Sequence, residues 1–105
     1  MESWYDKNTK SMEIRHTETE TKGAFEVMEE GTKVGEMTYS KAGTHRIIID
    51  HTEVDPSQNG KGLGKKLVDT AVAFARENGL KIIPLCPFAR RVLTGSEKYA
   101  DVLAN

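Results

Sequence analysis

Two short stretches of the chain have the residue types and spacing for chemistry. The first is the run Asn59-Gly60-Lys61-Gly62-Leu63-Gly64-Lys65-Lys66. Its three alternate glycines remove side chains where a backbone must bend tightly and approach a ligand. A helix starting behind it would offer unpaired N–H groups and the positive end of its dipole, which is phosphate-binding chemistry. Lys65 and Lys66 would each be disfavoured by about 0.3–1 kcal/mol in the first turn of a helix, a cost that a bound anion explains. A flexible turn ahead of a lysine-rich helix start is the competing assignment, and the context on both sides of the run favours phosphate. The second stretch is Cys86-Pro87. Proline suits the first position of a helix, which makes Cys86 its cap residue. A thiol at a helix N-terminus, with Arg90 and Arg91 nearby, has conditions that lower its pKa and make it a nucleophile. Free cysteine is as commonly a small buried hydrophobe, and both assignments stand. His51 is a base for that thiol if strand order brings it near, against a hydrogen-bonded structural role.

The elements that must position these residues follow from hydrophobic period. Met12, Ile14 and His16 alternate with polar neighbours, as do Phe25 and Val27, so two half-buried antiparallel strands are expected. Glu30-Gly31 suits a hairpin turn. A third strand is expected from about 33 to 40, a turn at Lys41-Ala42-Gly43, and a fourth strand over roughly 44–54, with Ile47-Ile48-Ile49 buried on both faces. Asp55-Pro56-Ser57 ends that strand. Leu63, Leu67, Ala71, Phe74 and Ala75 recur at helical spacing, and Asn78-Gly79 supplies a C-terminal cap. The segment 81–85 is a short strand reached by a crossover helix and therefore parallel to the fourth. Pro84 takes a donor from it, so the pairing should part there. Short helices over 88–93 and 96–103 close the chain. The expected fold is α+β, with a mixed sheet.

Composition narrows the function classes. The 105 residues fit one domain spanning 1–105, with 1–10 a loosely held lead-in in which Trp4 and Tyr5 have a packing role. Fifteen basic and sixteen acidic residues give a net charge of −1, which speaks against nucleic acid as a partner. A single cysteine excludes an intrachain disulfide, and no apolar run suits a membrane span of about 20 residues. A cytoplasmic setting is expected. His16 and His45 have no ligand-type neighbours at metal spacing, so no metal is expected. Tyr99 is assigned an anchoring role, and Asp50 and Glu53 are assigned as strand-end polar groups.

The glycine run fails two common nucleotide motifs. The Walker pattern Gly-x-x-x-x-Gly-Lys-Ser/Thr would need glycine at Asn59 and a hydroxyl at Lys66, and Gly-x-Gly-x-x-Gly would need glycine at Lys65. The run instead resembles the pyrophosphate loop of the GNAT acetyltransferases, Gln/Arg-x-x-Gly-x-Gly/Ala, with Asn59 in the Gln/Arg place and Gly62 and Gly64 as its last two glycines. Val54 and Asp55-Pro56 match the strand end and turn ahead of that loop. The stretch 49–54, Lys81-Ile82-Ile83 and Cys86 are similar to the small single-domain GNAT-like proteins called YjdJ-type N-acetyltransferase domains.

The resemblance implies acetyl-CoA as cosubstrate, with Asn59, Gly60, Lys61, Gly62, Leu63 and Gly64 at its pyrophosphate and the stretch Thr52 to Val54 along its pantetheine arm. It implies Cys86 as an acetyl-accepting thiol with His51 as base, and a small-molecule or protein amine as acceptor. The usual pattern Asn-x-x-Ala-x-x-x-Tyr reads Cys86-x-x-Ala89-x-x-x-Leu93, so the common tyrosine acid is missing. The long helical segment after the first strand, which usually shapes the acceptor site, is missing too. An acyl-CoA binding or sensing module without catalysis is the alternative expectation.

Overall fold

The computed structural model describes residues 12–104. The lead-in with Trp4 and Tyr5 lies outside the described residues. Four antiparallel strands run in sequence order, β1 (Met12–Glu18), β2 (Lys22–Glu29), β3 (Thr32–Ala42) and β4 (Arg46–Val54). Helix α1 (Leu63–Asn78) then crosses over to β5 (Lys81–Pro84), which lies parallel to β4 at the edge of the same sheet. Helix α2 (Pro87–Thr94) follows. The β2–β3 hairpin turns on Glu30 (φ 48°) and Gly31 (φ 86°), the paired positive values that a two-residue turn needs to match strand twist.

One face of the sheet carries the core. Phe25, Val27, Met37, Tyr39, Ile47, Ile49 and Ile82 pack with Leu67, Val68, Ala71, Val72 and Ala75 of α1 in one cluster. Burial of each large side chain contributes about 1.5–3 kcal/mol. The expectation that the isoleucine run is buried on both faces is corrected. Ile47 and Ile49 are buried, but Ile48 is only half-buried, because among the described residues no helix covers the other face of β4.

A bulge breaks the alternation of β4. Tyr39 pairs with Ile49 and Thr38 with His51, so Asp50 is the extra residue and Met37 comes to face Thr52. The Ser40 hydroxyl donates to the Asp50 carboxylate at 2.7 Å. Beyond the bulge the parity is reversed: Thr52 joins the core face with Met37, and His51 goes to the open one.

The expected closing helix over 96–103 is instead a 3-10 turn at Glu97–Tyr99 followed by a parallel bridge from Leu103 to Ile82. Ile82 N–H donates to Val102 C=O at 2.6 Å and Ala104 N–H donates to Ile82 C=O at 2.9 Å. A four-residue edge strand would otherwise leave those groups without partners, which is why the tail extends rather than coils. Tyr99 is buried and its hydroxyl donates to Asp69 of α1 at 2.8 Å, while Arg76 of α1 grips the Asp101 carboxylate at 2.8 and 2.9 Å.

At the opposite end of the sheet, Tyr39 is 1% exposed and its hydroxyl lies 2.6 Å from His16 Nε2, with His16 stacked on Phe25. The ring crosses Gly23, where a Cβ would stand 2.2 Å from Tyr39 Cζ, so any side chain there evicts it. Burial, with a smaller effect of the Glu18 carboxylate, pushes the Tyr39 hydroxyl up to about 12. Since an exposed tyrosine ionises near about 10, the folded state holds this proton longer than the unfolded state. Stability from this group is full below about pH 10 and is lost as pH rises through about 12. Absorbance titration should show a tyrosinate step near 12 that vanishes in Tyr39→Phe, and urea unfolding should show a shallower alkaline loss of stability in that variant.

Candidate active site

The parting expected near Pro84 is present. The β4–β5 pair runs from Arg46↔Lys81 to Ile49↔Pro84 and stops. Pro84 has no N–H to extend it, and the next two amides, Leu85 and Cys86, both converge on the Ile49 carbonyl at 3.1 Å. From Asp50 to Val54, β4 therefore has β3 as its only strand partner among the described residues, and its other edge opens beside a cleft of about 440 Å³.

Seven of the eight cofactor residues expected from sequence line this cleft: Thr52, Val54, Asn59, Gly60, Gly62, Leu63 and Gly64. Lys61 does not. Its ammonium points to the Gln58 side-chain oxygen at 2.9 Å and lies 3.9 Å from Glu29. The cleft also takes in Lys65, which the sequence linked to a bound anion, and Gln58 and Phe88, which sequence reading missed. A buried glutamine one place ahead of a motif carries no periodic signal. Phe88 arrives from a helix more than twenty residues on, and only the packing of α2 on α1 reveals it.

The glycine turn is built locally. Asp55 accepts from Ser57 N–H at 2.9 Å and caps the 3-10 turn Pro56–Gln58, and these hydrogen bonds hold the Asp55 carboxyl below the usual carboxylate range. Gly62 then caps α1 in the left-handed region at φ 71°, with no side-chain hydrogen bond to the helix start. The first helical bond is Lys66 N–H to Gly62 C=O. The N–H groups of Leu63, Gly64 and Lys65 therefore have no acceptor among the described residues, and all three residues border the cleft. Lys65 bonds back to Asp69 at 2.9 Å. Burial raises the Asp69 carboxyl, but the hydrogen bonds from Lys65 and Tyr99 outweigh it and hold the group below its ordinary range.

Cys86 is where the sequence places it, capping α2 ahead of Pro87 at N1, and it is 4% exposed. Its Sγ donates to Thr52 Oγ1 at 3.3 Å, which joins the thiol to a cleft-lining side chain. His51 is not beside it. The Asp50 bulge turns His51 to the open face, where its side chain is 54% exposed and Nε2 lies 3.2 Å from Glu53 Oε1. The group that reaches the thiol is Thr52.

Set against known proteins, this arrangement falls in the N-acetyltransferase fold class. The chain belongs to the GCN5-related N-acetyltransferases, whose family model matches residues 24–102. It is similar to a GCN5-like candidate N-acetyltransferase from Staphylococcus aureus, solved by NMR. The identity is 38% with a TM-score of 0.67, covering 87% of this chain and 88% of that one. The fold is shared with ribosomal-protein-alanine N-acetyltransferase from Brucella melitensis, at 24% identity and TM-score 0.60, covering 83% of this chain and 64% of that one. It is shared also with aminoglycoside N-acetyltransferase AAC(6')-Iy in complex with CoA, at 12% identity and TM-score 0.63, over 96% and 93% of the two chains. No sequence match is found among proteins of curated function.

The two helices meet at Gly64, where a Cβ would stand 2.8 Å from Phe88 Cζ. Gly64→Ala should cost about 1–3 kcal/mol in urea unfolding through overpacking. Much of that cost should disappear in a Phe88→Leu background, because the smaller side chain leaves room for the methyl group. Gly62→Ala meets open space, so its cost of about 1–2 kcal/mol comes from the left-handed backbone and should persist in that background.

Proposed function

We propose that this chain, working as one domain over 1–105 in the cytoplasm, is an acetyl-CoA-dependent acetyltransferase that carries the acetyl group on Cys86. One observation supports the reading most directly: the unpaired edge of β4, the bare N–H groups of the α1 start and the Thr52-bound thiol of Cys86 all meet in or beside one cleft. In this reading the pyrophosphate lies on the turn from Asn59 to Gly64, where backbone amides and the helix dipole suit its charge. The pantetheine arm hydrogen-bonds along Thr52 to Val54 as an added strand would, which brings the thioester to the point where the sheet parts.

The transfer is then a pair of acyl exchanges. Cys86 gives up its proton and its sulfur attacks the thioester carbonyl. The bond to the coenzyme A sulfur breaks, and coenzyme A leaves as a thiolate that takes up a proton. An amine nitrogen then attacks the acetyl-Cys86 carbonyl, expels the Cys86 thiolate and loses its own proton. His51 stands on the open face beside Glu53, on the side of β4 opposite the thiol, so in this reading it is the base for neither step. The family supplies acceptors as different as a ribosomal-protein alanine and an aminoglycoside among fold relatives, and a small-molecule or protein amine is the class proposed here.

A second reading, acyl-CoA binding or sensing without transfer, draws on the burial of the Cys86 thiol and the lack of His51 beside it. Incubation with acetyl-CoA followed by mass spectrometry separates the two. The enzyme reading expects one acetyl group on wild-type protein, none on Cys86→Ala, and release of coenzyme A. Calorimetric binding without release at any pH would leave the sensing module. Gly62→Asp should weaken coenzyme A binding by about a hundredfold or more, since it sets a carboxylate at the phosphate; unchanged affinity would overturn the turn assignment.

A further inference from the structure

Gln58 is the one polar residue among the buried ones described, at 6% exposed, and its amide is fully engaged. Its Nε2 donates to Glu29 Oε1 at 3.1 Å and to Ser57 Oγ at 3.4 Å, and its Oε1 accepts from Lys61 Nζ at 2.9 Å. Glu29 ends β2, its side chain is only 10% exposed, and its second oxygen lies 3.9 Å from Lys61. A side chain of the turn is thus tied to a strand distant in sequence, by a carboxylate bonded directly to a residue that lines the cleft.

That charge is the anomaly. A buried carboxylate near a phosphate site repels the ligand unless a cation compensates it. Lys61, which does not itself line the cleft, is the cation in place. We propose that Glu29 and Gln58 are positioning residues for the glycine turn, and that Lys61 aids the cofactor by neutralising Glu29 rather than by touching phosphate. This rests on the reading that the turn holds the coenzyme A pyrophosphate. The carboxylate fixes the Gln58 amide, the amide fixes the turn ahead of Gly60 and Gly62, and the lysine cancels the field that this fixing introduces.

Calorimetry of wild type and variants with coenzyme A, and with S-acetylpantetheine as a ligand lacking pyrophosphate, tests the idea. Lys61→Met should weaken coenzyme A by about tenfold, the scale of one charge-assisted interaction, because it uncovers the Glu29 charge. Glu29→Gln keeps an acceptor for Gln58 and removes the charge, so the Lys61→Met/Glu29→Gln double variant should return near wild-type affinity. Glu29→Ala, which lets the Gln58 amide go, should stay about tenfold weak, with Glu29→Gln as its rescue. S-acetylpantetheine affinity should be unchanged throughout. A double variant as weak as Lys61→Met would mean that Lys61 contacts phosphate and would overturn the proposal. Parallel losses for both ligands would reduce the cluster to general stability and overturn it as well. Wild-type protein that binds S-acetylpantetheine but not coenzyme A would overturn the pyrophosphate reading itself.

Discussion

A parallel strand pair that stops after four residue pairs leaves the last part of β4 with one edge of its backbone open among the described residues. Backbone N–H and C=O groups are obligatory hydrogen-bonding groups, so an edge of this kind must meet water, another chain or a ligand. Pro84 ends the pair by lacking a donor, and the convergence of the Leu85 and Cys86 amides on one carbonyl turns the chain away from β4 at that point. The cleft, the approach to Cys86 and the start of α2 all follow from that divergence. Had the pairing continued, β5 would occupy the space that the cleft now holds.

The Asp50 bulge decides which side chains see this opening. Strand residues alternate faces, so one inserted residue exchanges the two faces for everything after it. Ile49 and Thr52 share the core face across the bulge, and Met37 and Tyr39 opposite them show the same parity. Thr52 is brought within reach of the Cys86 sulfur, and His51 is carried to the exposed side beside Glu53. The thiol side and the His51 side of one strand are thereby separated.

The turn that follows balances charge as much as shape. Gly60 and Gly62 adopt positive φ in open space, so backbone conformation rather than crowding selects glycine there, whereas at Gly64 the pressure comes from Phe88. Around them Lys65 is tied to Asp69, Lys61 to Gln58 and Glu29, and Asp69 in turn to Tyr99 of the closing turn. Two of the three cations of the run, Lys61 and Lys65, are thus held by protein carboxylates and an amide, while Lys66 is exposed and joins the N–H groups of the helix start as positive character.

Much of this was legible in the residues. Alternating Phe25 and Val27, the helical spacing from Leu63 to Ala75, the glycines of the run and the prolines at 56, 84 and 87 report local backbone preferences, and these hold in any context. They determined the order of strands and helices, the parting of the sheet and the position of the glycine turn and Cys86 cap. Three features were set elsewhere. The tail over 96–103 has helical composition but extends, because the free edge of β5 offers it backbone partners. His51 leaves Cys86 because a bulge depends on the register of β3 against β4, a pairing between strands that no single stretch encodes. Lys61 bonds Gln58 and lies 3.9 Å from Glu29 because the fold brings the end of β2 to the glycine turn. The sequence by itself determined what each segment is and which chemistry it carries. Tertiary structure decided which side chains face one another, since register and long-range charge pairing are properties of two segments together.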